Sequence, residues 1–297
     1  MNPETPVILV IGARGQVGWE LLRTLAPLGR VVSADRHGGD LVLDLADPGG
    51  IVERLAPVKA DMIVNAAAYT AVDKAETELD EARAVNADAL AELGRLAVAD
   101  GVPVLHYSTD FVFDGNSRTP YREDDATGPL NVYGETKLAG ELALAASGAN
   151  YLVFRTAWVY GARGPNFMLT MRRLAGEREE LRVVDDQVGS PTWSRLLAEA
   201  TGQIAGRLLS GVVDVAEVSG TYHLTAAGST SWYGFARAIL DAGDAQCHLT
   251  PIPSSDYPTP ARRPAYSVLD NAKLQQRFGI RLPHWQDSLK QCMESVV

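Results

Sequence analysis

Two side chains four residues apart, Tyr133 and Lys137, open an apolar run from Leu138 to Leu144 in this 297-residue chain. On a helix that spacing puts phenol and ammonium on one face, a turn from each other. A free tyrosine titrates near ~10, and a fixed cation beside it favours the phenolate, so the pair can move a proton near neutral pH. YxxxK alone also occurs on helices that do no chemistry. A third group strengthens the pattern: Ser108-Thr109-Asp110 ends an apolar strand twenty-four residues before the tyrosine, counting from Thr109 to Tyr133 (133 − 109 = 24). The hydroxyl of Thr109 can donate to a carbonyl oxygen held beside the phenol. Asn131 stands immediately ahead of the helix as a capping residue.

The elements that must position these groups read as an alternation of strands and helices. Val7–Ile11 is a buried strand, and Gly12-Ala-Arg-Gly15-Gln16-Val17-Gly18 follows it into a helix over 16–25. Glycines between a strand and a helix let the backbone approach a pyrophosphate, whose charge meets the helix N-terminus. A second strand over 30–34 ends at Asp35, where an acid accepts hydrogen bonds from an adenosine ribose and favours NAD. Arg14 and Arg36 nearby could instead hold a 2′-phosphate, so both cofactors remain open. A short strand over 41–43 leads to Asp44-Leu45, an acid placed for an adenine amino group or for a plain turn. A strand over 61–64 closes on a loop, Asn65 to Thr70, whose small residues let a ligand approach. A continuous helix is expected over 78–99, a strand over 102–107, and an irregular loop over 111–129. Later segments lose the clean alternation: a strand over 151–155, helices over 166–174, 192–208 and 231–241, strands over 181–184 and 220–224, and a proline-rich stretch, 251–264, with Arg262 and Arg263.

These elements predict an α/β protein: a Rossmann-type doubly wound parallel sheet with a smaller C-terminal α/β substrate-binding lobe. The expected division is 1–160 for NAD(P) binding, with some later segments returning to it, and 161–297 for substrate. Composition agrees with an ordinary globular chain, 46% hydrophobic and 22% charged. The formal net charge of −10 argues against nucleic acid, and no apolar run is long enough to span a bilayer. Two cysteines are too few for a disulfide framework and fit a reducing cytoplasm. The expected partner is a small molecule.

With these motifs in place the chain resembles the extended short-chain dehydrogenase/reductases and, within them, the dTDP-4-dehydrorhamnose reductase family. The resemblance is carried by Gly15-Gln-Val-Gly-Trp-Glu-Leu, Val64-Asn-Ala-Ala-Ala-Tyr-Thr, His106-Tyr-Ser-Thr-Asp-Phe-Val-Phe, Asn131-Val-Tyr-Gly-Glu-Thr-Lys, Phe154-Arg-Thr-Ala-Trp-Val-Tyr, Asp186-Gln-Val-Gly-Ser-Pro-Thr and Tyr257-Pro-Thr-Pro-Ala-Arg-Arg-Pro. It implies reduction of the 4-keto group of a deoxysugar nucleotide with NADPH or NADH. Tyr133 would be the proton donor, Lys137 its partner and ribose ligand, and Thr109 the polarising hydroxyl. Asp110 and Trp158 would meet the sugar, and Arg262 or Arg263 the diphosphate. Gly12, Gly15, Gln16, Val17, Gly18, Asp35, Asp44, Leu45, Ala68, Tyr69, Thr70 and Tyr107 would line the cofactor. An epimerase, a dehydratase or a non-catalytic regulatory subunit shares the fold. Dehydratases usually carry Asp-Glu after the threonine, whereas Asp110-Phe111 stands here. Some family members bind magnesium or form dimers. A homodimer is compatible with this chain. No metal is expected, because Glu20 alone makes no site.

Overall fold

The computed structural model describes residues 5–243 and 247–295. At its centre lies a seven-stranded parallel sheet. Six strands carry labels: β1 (Val7–Ile11), β2 (Arg30–Asp35), β3 (Leu41–Val42), β4 (Met62–Asn65), β5 (Val104–Thr109) and β6 (Tyr151–Thr156). Their spatial order is β3-β2-β1-β4-β5-β6, and Gly220–His223 pairs beyond β6 at the edge. The order reverses between β1 and β4, and ligands gather in the crevice above such a switch point.

Period two explains why both faces of the sheet are dry. Ile8 and Val10 point to one side with Met62, Val64, Leu105 and Leu152, covered by helices Gln16–Leu25 and Ser194–Leu209. Leu9 and Ile11 point to the other with Ile63, Val104 and Val153, covered by Leu90, Leu93 and Leu144 from helices Ala89–Asp100 and Val132–Ala146. A third apolar cluster lies off the sheet and is built after residue 160 around Met168, Phe235, Ile239, Trp285 and Leu289. The parallel pair Glu180–Val184 and His248–Ile252 belongs to this region.

Three expectations need correction. Asn65 is not the start of a loop: it is the last residue of β4 and fully buried. The continuous helix over 78–99 is broken into Leu79–Arg83, a π turn over Ala84–Asp88, and Ala89–Asp100. The π turn turns Asn86 out of the helix register and into hydrogen bonds with Tyr69 and Thr136. Apolar periodicity does not reveal such a local insertion. Residues 192–193 form a short strand against Val159–Tyr160, and the helix starts at Ser194.

Candidate active site

The glycine loop leaves β1 at Gly12, whose φ of +79° only glycine adopts without strain. A Cβ there would also lie 2.5 Å from the amide nitrogen of Ala67, so the loops after β1 and β4 meet across the switch point. A side chain at Gly18 would overlap the Gly12 carbonyl. The helix beginning at Gln16 has Gly15 as N-cap with no side-chain cap, which leaves that end open to an anion. This cradle fits a dinucleotide pyrophosphate. The Gln16 side chain is engaged by Asn166, 3.1 Å away.

Asp35 caps the turn after β2: its carboxylate accepts from the Arg14 and His37 amides at 3.3 and 3.0 Å. The Arg36 side chain is turned to the His37 ring and that of Arg14 to the His37 carbonyl. Asp44 accepts from the Ala46 amide, the geometry of a turn, and Leu45 is buried. Tyr69 receives the Asn86 side chain at its amide, next to Ala68 and exposed Thr70, and its hydroxyl donates to Glu78.

β5 delivers two sets of side chains to opposite faces. The Tyr107 hydroxyl lies 2.5 Å from Thr201 in the core, so Tyr107 presents only its carbonyl toward Lys137. Thr109 ends the strand; its hydroxyl donates to Asp110 at 3.0 Å and accepts the Phe111 amide at 3.2 Å. The helix Val132–Ala146 is capped by Asn131, which accepts the Gly134 amide at 2.8 Å and donates to the Arg262 carbonyl at 2.7 Å. That cap fixes the first turn, and with it Tyr133, against the proline-rich stretch.

Tyr133 and Thr109 are neighbours: burial pushes the phenol up to about 12, the nearby Thr109 hydroxyl opposes that, and the Asp110 charge adds to it. The expected lowering by Lys137 is not what the structure shows. The Lys137 amine is buried and turned to the Tyr107 carbonyl at 2.7 Å and the His106 ring at 3.0 Å. Burial lowers Lys137 to about 7, against the opposing charge of Glu141. Burial likewise raises Asp110 to about 6, opposed by hydrogen bonds from Ser267 and Thr109.

The raised Asp110 carboxyl fixes the sign of a pH effect. The folded chain binds its proton more tightly than the unfolded one, so stability is greatest below the ordinary carboxyl value of 3.8 and falls as pH rises to about 6. Asp110→Asn removes that loss. Calorimetric melting above this window should find the variant more stable than wild type by up to roughly 3 kcal/mol, since each pKa unit is worth about 1.4 kcal/mol. A difference that does not change across the window would contradict this origin.

Trp158 adopts φ +48° and stacks on Trp232, with ring centroids 3.6 Å apart and planes 4° from parallel. Gly189 leaves the room, since its Cβ would lie 2.5 Å from the indole. Arg263 is committed to Asp73 at 2.8 Å and lowers that carboxyl, while Arg262 is exposed. Sequence reasoning missed Trp232, which it read only as part of the helix over 231–241. It also missed the buried Glu141–Arg155 ion pair at 2.7 Å, though Glu141 repeats the four-residue step after Lys137. Glu20 is paired with Arg23 and Arg195, and among the described residues no three His, Cys, Asp or Glu side chains gather to hold a metal.

The RmlD substrate binding domain family matches residues 6–297. The dTDP-4-dehydrorhamnose reductase of Burkholderia thailandensis is 48% identical over 98% of this chain and 99% of its own. Two solved structures are also close. A dTDP-4-dehydrorhamnose reductase from Clostridium acetobutylicum has a TM-score of 0.89 at 35% identity, covering 98% of this chain and 99% of its own. One from Bacillus anthracis in complex with NADP has 0.89 at 31% identity, with the same coverage.

Proposed function

The chain belongs to the RmlD substrate binding domain family, and from that premise we propose that it is a dTDP-4-dehydrorhamnose reductase. It would reduce the 4-keto group of dTDP-4-dehydro-β-L-rhamnose with NADPH or NADH, the last step toward dTDP-β-L-rhamnose, in the cytoplasm. The observation that carries the reading is Tyr133 set edge-on to Phe111, ring centroids 5.8 Å apart, just past Thr109 at the carboxyl end of β5.

Gly12, Gly15 and Gly18 with the open helix end would hold the pyrophosphate of the dinucleotide, and Asp35 the adenosine ribose. The reduced nicotinamide supplies the hydride when bound. Negative charge then grows on the ketone oxygen, where Thr109 donates a hydrogen bond and Tyr133 donates one and then gives up its proton. Thr109 must turn its hydroxyl from Asp110 to do so. Lys137 must turn its amine from the Tyr107 carbonyl and the His106 ring to stabilise the phenolate that remains. The part after residue 160 forms the substrate lobe. Trp158 and the Trp232 stacked on it present a flat apolar wall to the sugar nucleotide. Arg262 is the arginine for the diphosphate, because Asp73 holds Arg263.

The test is direct. Purified protein given NADPH and dTDP-4-dehydrorhamnose, made in situ, should consume reduced nicotinamide in proportion to ketone. Turnover without net oxidation would point to an epimerase, and no turnover would remove the reductase reading. For cofactor choice, Asp35→Ala should shift the ratio of kcat/KM for NADH and NADPH toward NADPH, because the acid disfavours a 2′-phosphate. An unchanged ratio would show that Asp35 does not set it.

A further inference from the structure

The proline-rich stretch is tied to the cofactor side of the molecule through one carboxylate. The loop after β4, which crosses Gly12 at Ala67, runs on into the short helix Val72–Ala75. Asp73 in that helix accepts from Arg263 Nη1 at 3.1 Å and Nη2 at 2.8 Å, and from the Ala261 amide at 3.2 Å. Arg263 Nη1 also donates to the Thr259 hydroxyl at 2.6 Å and the Ala261 carbonyl at 3.0 Å. A second anchor meets the loop one residue on, where Asn131 Nδ2 donates to the Arg262 carbonyl at 2.7 Å. Pro264 is buried against Gly115, whose added Cβ would lie 2.6 Å from the proline ring. Arg262 therefore has its backbone held on both sides and its side chain exposed.

The Asp73 and Arg263 side chains are 40% and 23% exposed, and pairs so near the surface contribute little to overall stability. What these bonds fix is the path of the backbone over 259–263. Holding a flexible arginine on a phosphate costs less when the chain carrying it is already placed, because a loose loop would have to be ordered on binding. The charges make the role of Asp73 testable. A carboxylate near a diphosphate repels it. Arg263, helped by the Ala261 amide, holds the Asp73 carboxyl below its ordinary range against partial burial, so the repelling charge stays in place. Its presence beside an anion site calls for a gain that outweighs the repulsion.

We propose that Asp73 is a positioning residue for the substrate diphosphate: it clamps the backbone over 259–263 through Arg263 and Ala261, so that Arg262 is set for the phosphates beside the helix that carries Tyr133. This rests on the nucleotide-sugar reading for its ligand. Arg263 is the other half of the clamp and does not touch the diphosphate.

Titration of the full chain, saturated with NADPH, with dTDP tests the clamp apart from turnover. Asp73→Ala should raise the Kd for dTDP roughly tenfold, in line with the loss of charged hydrogen bonds. Its Ala261 amide should exchange faster with deuterium in the unliganded protein. Arg263→Lys keeps the charge and loses the fork, and it should weaken dTDP binding in the same direction. Arg262→Ala should weaken it as well, and in the Asp73→Ala background should add clearly less than it costs alone. In ketone reduction, KM for the nucleotide sugar should follow the Kd while kcat changes little.

Unchanged or tighter dTDP binding in Asp73→Ala, the result of simple charge removal or of Arg263 moving onto the phosphates, would overturn the clamp. Fully additive effects at 73 and 262 would overturn it too, since Asp73 would then not act through Arg262. Wild type that binds dTDP without reducing the ketone would count against the reductase reading and leave the clamp result standing. Wild type that does not bind dTDP would remove both.

Discussion

Tyr133→Phe should lower turnover by ~10²–10⁴, the usual contribution of a positioned general acid, while NADPH binding stays nearly intact. The substitution removes one oxygen and keeps the ring, which sits edge-on to Phe111 with centroids 5.8 Å apart. The Asn131 cap and the first helical turn are untouched. Steady-state kinetics against a fluorescence titration of the cofactor separates the two effects. Equal turnover would take Tyr133 out of the reaction, and lost cofactor binding would make it a structural residue.

Gly140→Ala is the second large expectation, and it acts from two turns away. Gly140 packs against the π turn, and a Cβ there would overlap the Asn86 carbonyl. Backbone oxygen cannot rotate aside, so the helix carrying Tyr133 and Lys137 must shift by roughly 1 Å. Displacements of that size at a reacting centre cost on the order of 10²-fold in rate. Loss of kcat of that order in a variant that remains folded by circular dichroism is the expected result. Wild-type kcat would show that the π turn yields instead.

The parts of this protein legible in the sequence are those where geometry restricts residue type. A backbone at φ +79° with the segment at Ala66 and Ala67 crossing against it requires glycine, so Gly12 announces the tight turn between β1 and its helix. A four-residue step announces a shared helical face. Strand order is not written locally, yet alternating strands and helices leave few alternatives to a parallel sheet. What stayed hidden depends on distant partners. Arg263 is as plausible a phosphate ligand as Arg262 until Asp73, 190 positions away, is seen to hold it. The four-residue step places Lys137 beside Tyr133 without telling which way its flexible stem turns. Only the alternation of β5 puts His106 in reach of the amine while Tyr107 faces the other core. The π turn escaped because its signal is a single residue, Asn86, bonding outside its own helix.

The late return of the chain to the central sheet limits how the protein can be cut. Gly220–His223 closes the edge beyond β6, and Ser194–Leu209 covers the first helix with Leu197, Ala198, Ile204 and Ala205. A fragment ending near residue 160 would expose the backbone of β6 and the apolar face of Gln16–Leu25 to water, a template for edge-to-edge aggregation. Nucleotide binding and sugar binding are thus separable as tasks and inseparable as polypeptides. A nick between them would release neither half in working form.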